Sequence, residues 1–245
     1  MTDTPPGYPT EPLQPHLHPR VVPWQHALAW YEDAMRLFKR APATWVALAM
    51  ATVLTELALK AVPGVGTLLS QLVTPLVACG LVYGASAADR GSTPSLRDAL
   101  RAFRTPPHAI ASVIASALVA FGAEAFAAWW IAGVNLLDTA AGSAELSPAA
   151  VIGILALGIL ASLPVMFVVF HVLFEGVRPA LAFAASWNAF VLNTLPLLVY
   201  SAASMVLLGF GLATFGLGLA LALPLWAASS YAAWKDIFGI REAPV

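Results

Sequence analysis

The chain has 245 residues, 60% hydrophobic and 10% charged, with a formal net charge of −1. Soluble domains carry about a quarter charged residues, so an ordinary soluble protein is excluded and a membrane protein is indicated. Nucleic acid is excluded as a partner too, because 12 Lys and Arg against 13 Asp and Glu leave no basic face large enough to displace counterions.

Residues 1–23 contain Pro5, Pro6, Pro9, Pro12, Pro15, Pro19 and Pro23. They read as a disordered cytoplasmic tail with no cleavable signal, in which His16 and His18 are polar filler. From Trp24 to Lys39 the pattern turns amphipathic, with Ala27, Trp30, Ala34 and Leu37 on one helical face. Pro42 follows, then a first membrane span at about 45–62. Pro63-Gly64 marks a turn, and a second span runs over about 67–88.

The stretch Asp89–His108 is the best-charged passage between the N-terminal region and the C-terminal end. Thr93-Pro94 reads as a helix start, and Ser95 with Asp98 has capping-box spacing. Leu96, Leu100 and Phe103 then share one face, while Arg97, Arg101 and Arg104 occupy another. Such a segment is expected to form a short amphipathic helix at the membrane surface, its arginines among the headgroups. Pro106-Pro107 ends it.

A third span at about 109–131 closes on Trp129 and Trp130, where an aromatic belt belongs. The polar loop 132–147, with Asp138, Gly142 and Glu145, leads to a fourth span at about 148–174. No formal charge falls between Arg178 and Lys235, a length too great for one helix. Two breaks, one marked by 186–188 together with 193–196 and one by 215–218, divide it into an interfacial segment at 179–192, a fifth span at about 195–214 and a sixth at about 218–239. Long apolar runs without alternation exclude barrel strands.

A threefold unit is visible in these elements. Asp33–Phe38, Asp98–Phe103 and, in weaker form, Ala185–Phe190 each precede an odd-numbered span. The even spans share a mid-helix proline at Pro75, Pro164 and Pro224. The expected fold is an all-α integral membrane protein of six transmembrane helices in three hairpins, each hairpin preceded by a short interfacial amphipathic helix. The domain occupies residues 24–240. All Lys and Arg except Lys60 fall on one side of that topology, which places both termini in the cytoplasm.

Four ionisable residues fall inside spans: Glu56, Lys60, Glu124 and His171. Intramembrane charge costs about 2.5–3.5 kcal/mol on insertion scales, so each is a candidate for function. Glu56 and Lys60 are four residues apart and able to neutralise each other. The expected arrangement is that Lys60 snorkels to the outer interface with Glu56, leaving Glu124 near the outer headgroups; an outward-facing polar cluster of all three is the alternative. His171 is expected to make a headgroup or carbonyl contact. Gly80-Leu81-Val82-Tyr83-Gly84 is a GxxxG match that supports close helix packing, within the bundle or between copies. Cys79, the one cysteine, lies in an apolar run and reads as an inert buried thiol. No catalytic, cofactor, nucleotide or metal motif is present.

The ending Leu223–Gly239, with its Tyr-bearing segment and Asp236-Ile237-Phe238-Gly239, resembles the close of an uncharacterised family of bacterial six-span inner-membrane proteins. The opening is similar as well, with a Trp-bearing amphipathic helix, Leu37-Phe38-Lys39-Arg40-Ala41-Pro42, and a span beginning at Trp45. The layout is more distantly similar to the membrane domain fused to some glycerophosphodiester phosphodiesterases. The resemblance covers residues 24–240 and implies an inner-membrane location and six spans. It brings no activity and no catalytic residues.

The expected function is that of a non-enzymatic accessory, assembly or lipid-interacting membrane component. Its partners would be membrane lipids, with a protein partner or a second copy of the chain besides, and no cofactor. The alternative is a small transporter or channel built on the proline-kinked helices. An intramembrane enzyme would require His171 to meet an acidic residue within hydrogen-bond reach.

Overall fold

A computed structural model describes residues 16–137 and 146–240. The expected disorder of residues 1–15 and the loop residues Asp138, Gly142 and Glu145 lie outside them. Among the described residues the chain is helical: α1 (His26–Phe38), α2 (Pro42–Lys60), α3 (Gly66–Asp89), α4 (Pro107–Ala132), α5 (Pro148–Ser162), α6 (Val168–Phe174), α7 (Pro179–Leu192), α8 (Thr194–Ala213) and α9 (Leu219–Phe238). Five segments are helical, long and apolar enough to cross a membrane: α2, α3, α4, α8, and Pro148–Val165 formed by α5 and the turn after it. The protein is therefore a helical membrane protein with multiple candidate crossings.

The sixth expected span, α9, is 20 residues long but falls outside that set. Its position explains its lower hydropathy. It packs against α1, α2, α3 and α8, so its faces meet protein, and it affords Ser229, Tyr231, Lys235 and Asp236 where partners exist. Pro75 and Pro224 are accommodated inside α3 and α9. Pro164 is not. The fourth span, read as one helix over 148–174, stops at Ser162, passes through a 3-10 turn at Leu163–Val165 and resumes as the separate helix α6. A proline ring clashes with the carbonyl one turn back and donates no N–H, which is enough to break the ladder there.

The expected face of α1 is the one it buries: Ala27, Trp30, Ala34 and Leu37 are all at most 2% exposed. It lies on protein, packed along α9. The segment expected at the interface, α7, has the expected bounds, with Ala182, Ala185, Ser186 and Ala189 buried.

Asp89–His108 departs from the expected amphipathic helix. It forms two 3-10 turns, Leu96–Leu100 and Ala102–Arg104. The capping box is present, with the Ser95 backbone N–H donating to Asp98 Oδ2 at 2.9 Å. Continuous α-helix is lost because Ala99 and Ala102 are drawn down onto the bundle. A Cβ built on Gly80 would lie 2.6 Å from the Ala99 Cα. Within the chain, the GxxxG match thus serves this loop-to-helix approach at Gly80. Gly84 faces Leu48 and Pro94. Leu96, Leu100 and Phe103 remain exposed.

Residues 16–23, expected to belong to the disordered tail, run as an extended strap across one end of the bundle. Arg20 N–H donates to the Ile237 carbonyl at 2.8 Å. Val22 N–H donates to Asn193 Oδ1 at 2.9 Å, and Asn193 Nδ2 returns a bond to the Arg20 carbonyl at 3.0 Å. Prolines exclude helix here, but they leave the intervening N–H groups free to bond with neighbouring helix ends.

Candidate functional site

The charged residues collect at two levels of the bundle. At the end where α1 packs, Asp236 near the C-terminus of α9 binds three partners. Arg20 Nη2 donates to its Oδ1 at 2.5 Å, Trp30 Nε1 donates to Oδ2 at 3.0 Å, and His26 Nδ1 lies 2.6 Å from Oδ2. Asp89, at the end of α3, receives Lys235 Nζ and the Tyr231 hydroxyl. These contacts fasten α1, the strap and α3 to the central helix.

Beside them is a second junction that the sequence reading missed. Glu175, just after α6, takes His171 Nδ1 at 2.6 Å on one carboxylate oxygen. On the other it takes His16 N–H at 3.0 Å, with His16 Nδ1 at 2.9 Å. The i,i+4 spacing of His171 and Glu175 was legible; the arrival of His16 from 159 residues away was not. The requirement that His171 meet an acidic residue is therefore met, but by Glu175. His171 is 0% exposed, wedged against the Phe238 ring at a centroid distance of 4.5 Å. The Trp234 ring lies edge-on at 6.1 Å as well, and His171 Nε2 is buried with no hydrogen-bond partner among the described residues.

Burial pushes the Glu175 carboxyl up, but the bonds from His171 and His16 outweigh it and hold the group below its usual range. A carboxyl depressed in the folded state stabilises the fold above its unfolded pKa, and that contribution is lost as pH falls through the folded value. Glu175→Gln is accordingly expected to lower stability by about 1–3 kcal/mol at neutral pH. The gap to wild type should close on acidification below the usual carboxylate range. Thermal unfolding of both proteins across pH checks this; a gap that widens in acid would refute it.

At the other level, Glu56 lies about 20 Å along α2 from the α1 end, by helix rise. Lys60 Nζ and Glu56 Oε1 are 2.6 Å apart, and the Thr74 hydroxyl donates to Glu56 Oε2 at 2.6 Å. Glu124 on α4 interacts electrostatically with both Lys60 and Glu56. Among the described residues its carboxylate has no hydrogen-bond or ion-pair partner. It fits because α5 carries Gly158 opposite: a Cβ there would come within 2.5 Å of Glu124 Cγ. Nothing in the local pattern signals that pairing of glycine and carboxylate.

Glu56 and Glu124 help to line one cavity of about 550 Å³, whose wall is made by residues of α2, α3, α4, α5, α6, α8 and α9. Its size falls in the range of ligand sites. Much of the wall is aliphatic or aromatic, including Val82, Phe121, Val169, Phe170 and Trp226, and Pro75 lines it as well. Hydroxyls also face it: Thr74 bonds to Glu56, Tyr200 donates to the Trp226 carbonyl at 3.4 Å, and four others bond within their own helices. Thr52 donates to the Leu48 carbonyl at 3.0 Å, Ser116 to Ser112 at 2.9 Å, Ser162 to Ile159 at 2.7 Å and Ser230 to Ala227 at 2.8 Å. The cavity is thus lined mostly by apolar side chains, with Glu56, Gln71, Thr74 and Glu124 among its polar lining residues.

Arg97, Arg101 and Arg104 lie on the 3-10 segment, remote in sequence from that cavity and absent from its wall. No group of three or more His, Cys, Asp or Glu side chains able to hold a metal ion occurs among the described residues.

The chain matches no family model, no curated protein and no solved structure. What it does must be argued from this geometry.

Proposed function

We propose that the protein is a lipid-interacting component of a bacterial inner membrane, non-enzymatic, with six spans and both termini in the cytoplasm. The observation that carries the reading is the cavity: lined mostly by apolar side chains, with the carboxylates of Glu56 and Glu124 in its wall. Such a space, set in a bilayer, suits the hydrocarbon chain of an amphiphile whose polar or cationic group meets Glu56 and Glu124. The bilayer supplies that occupant at high local concentration. The sixth span is supported by the 20-residue length of α9 and its central packing. The orientation is supported by the positive-inside distribution, with Lys60 alone on the far side. A transporter or channel needs a continuous polar path, and a wall made mostly of aliphatic and aromatic side chains does not favour one. An accessory or assembly role, exercised through a protein partner, is compatible with the same cavity.

Native mass spectrometry of the full chain released from lipid nanodiscs tests the reading. Wild type is expected to retain one more amphiphile per chain than a variant whose cavity is filled. Ala120→Trp, which adds an indole at the cavity wall, is expected to lose it while keeping the helical content and melting profile of wild type. Glu124→Gln is expected to change which amphiphile is retained. Equal retention by wild type and Ala120→Trp would overturn the proposal, as would a bare wild-type chain. A stoichiometric protein in place of a lipid would shift the assignment to the accessory role.

A further inference from the structure

A separate concave site lies where α3 ends and α4 begins. Its volume is about 620 Å³, and its wall carries three guanidinium groups, Arg90, Arg101 and Arg104, with Tyr83, Leu173 and Phe174 as a largely apolar floor. No acidic side chain lines it. Arg90 follows the last residue of α3, and Arg104 precedes α4 by three positions, so the group is tied to the ends of two candidate crossings. That places it at headgroup depth. The expected surface contact by Arg97, Arg101 and Arg104 is thereby redrawn, because Arg97 is not part of the wall and Arg90 is.

The arginines are held in place yet largely unspent. The Arg101 guanidinium sits 4.6 Å over the Tyr83 ring, and Tyr83 is braced edge-on by Phe174 at 5.5 Å. Cation–π stacking fixes the plane of the guanidinium and leaves its N–H edge free for an anion. On the segment, Asp98 makes a long ion pair with Arg101 through Oδ1, at 4.0 Å, while its Oδ2 takes the capping bond from Ser95. Arg90 Nη1 donates to Ser86 Oγ at 2.6 Å, which orients it and uses one of its donors. Arg104 has no ion pair among the described residues. Alongside, Leu96, Leu100 and Phe103 are 56%, 58% and 40% exposed. Exposed aliphatic side chains between arginines, next to two span ends, are what a segment seated in the interface requires.

We propose that Arg90, Arg101 and Arg104 form a specific site for the phosphate headgroup of an anionic membrane lipid. Planar guanidinium groups bind phosphate oxygens through paired N–H bonds, and three of them with no lining acid select an anionic headgroup over a zwitterionic one. The apolar floor of Leu173 and Phe174 receives the glycerol and the first methylenes. Inorganic phosphate shares the headgroup chemistry but gains nothing from that floor. This site is independent of the cavity lined in part by Glu56 and Glu124.

The test is native mass spectrometry of the full detergent-solubilised chain, titrated with short-chain phosphatidylglycerol, with short-chain phosphatidylcholine, or with inorganic phosphate. Wild type is expected to bind phosphatidylglycerol about tenfold more tightly than phosphatidylcholine, the value of one good charge-assisted contact. The triple variant R90Q/R101Q/R104Q should lose that preference, while Arg97→Gln keeps it. Arg104→Glu alters one side chain with no ion pair to break. It should weaken phosphatidylglycerol binding at an unchanged melting temperature, and so decides the matter if the triple variant does not fold. Equal affinity for the two lipids in wild type would overturn the site, as would an unchanged preference in Arg104→Glu. Competition by inorganic phosphate at the same concentration as the lipid would overturn the lipid assignment in favour of a free-anion site. Ala120→Trp is expected to leave this preference intact, which separates failure here from failure of the cavity reading.

Discussion

Gly80→Val is expected to lift the Asp89–His108 segment off α3, at a cost of about 3 kcal/mol, the upper part of the range for overpacking. The reason is what the new side chain would meet. Its Cβ alone would lie 2.6 Å from the Ala99 Cα and 2.8 Å from the Ala99 N. These are backbone atoms, so no rotamer change relieves the overlap and the whole 3-10 turn must move. Gly122→Val is the control, because a Cβ at Gly122 meets nothing within 4 Å. Thermal unfolding in nanodiscs reads the difference, and limited trypsin cleavage at Arg97 and Arg101 reads the displacement. Wild-type stability and protection in Gly80→Val would mean that the segment is not seated on α3.

Trp30→Ala is expected to undock α1, with a loss of about 3–5 kcal/mol, as for other buried Trp truncations. Trp30 is 2% exposed, meets Tyr200 edge-on at 5.9 Å and donates to Asp236 at 3.0 Å. Its removal leaves a large void between α1, α8 and α9 and takes one of three partners from a carboxylate. Trp30→Phe keeps much of the aromatic packing but loses the N–H bond and part of the ring volume, so about 2 kcal/mol is expected for it. Hydrogen exchange over His26–Phe38 measures both. Equal protection of α1 in wild type and Trp30→Ala would show that the helix is held by other contacts.

These two sites also show where sequence reading succeeds and where it stops. Trp30 belongs to a 3.6-residue apolar period shared with Ala27, Ala34 and Leu37, and periodicity is a local property that the chain displays by itself. The same local grammar marks the apolar runs, the breaks before α2, α4 and α8, the bounds of α7 and the capping box of Ser95 and Asp98. Gly80 was visible only as half of a GxxxG match, with no indication that Ala99 would fill its gap. A small residue announces that something comes close, not what comes.

Composition and hydropathy alone determined that this is a helical membrane protein, because a backbone in lipid must satisfy its own hydrogen bonds and apolar runs of this length do so as helices. They also located the charges within the apolar runs, Glu56, Lys60 and Glu124, and the arginines at positions 97, 101 and 104. Only the tertiary structure decided how those charges are used. It put α9 at the centre, where its polar residues find partners and its hydropathy falls. It bent the fourth span at Pro164, turned a proline-bearing tail into a bonded strap at His16–Pro23, and set Glu124 against Gly158 in the wall of a mostly apolar cavity. Each of these outcomes depends on contacts between residues far apart in the chain, and hydrophobic periodicity carries no record of which distant partner a face will meet.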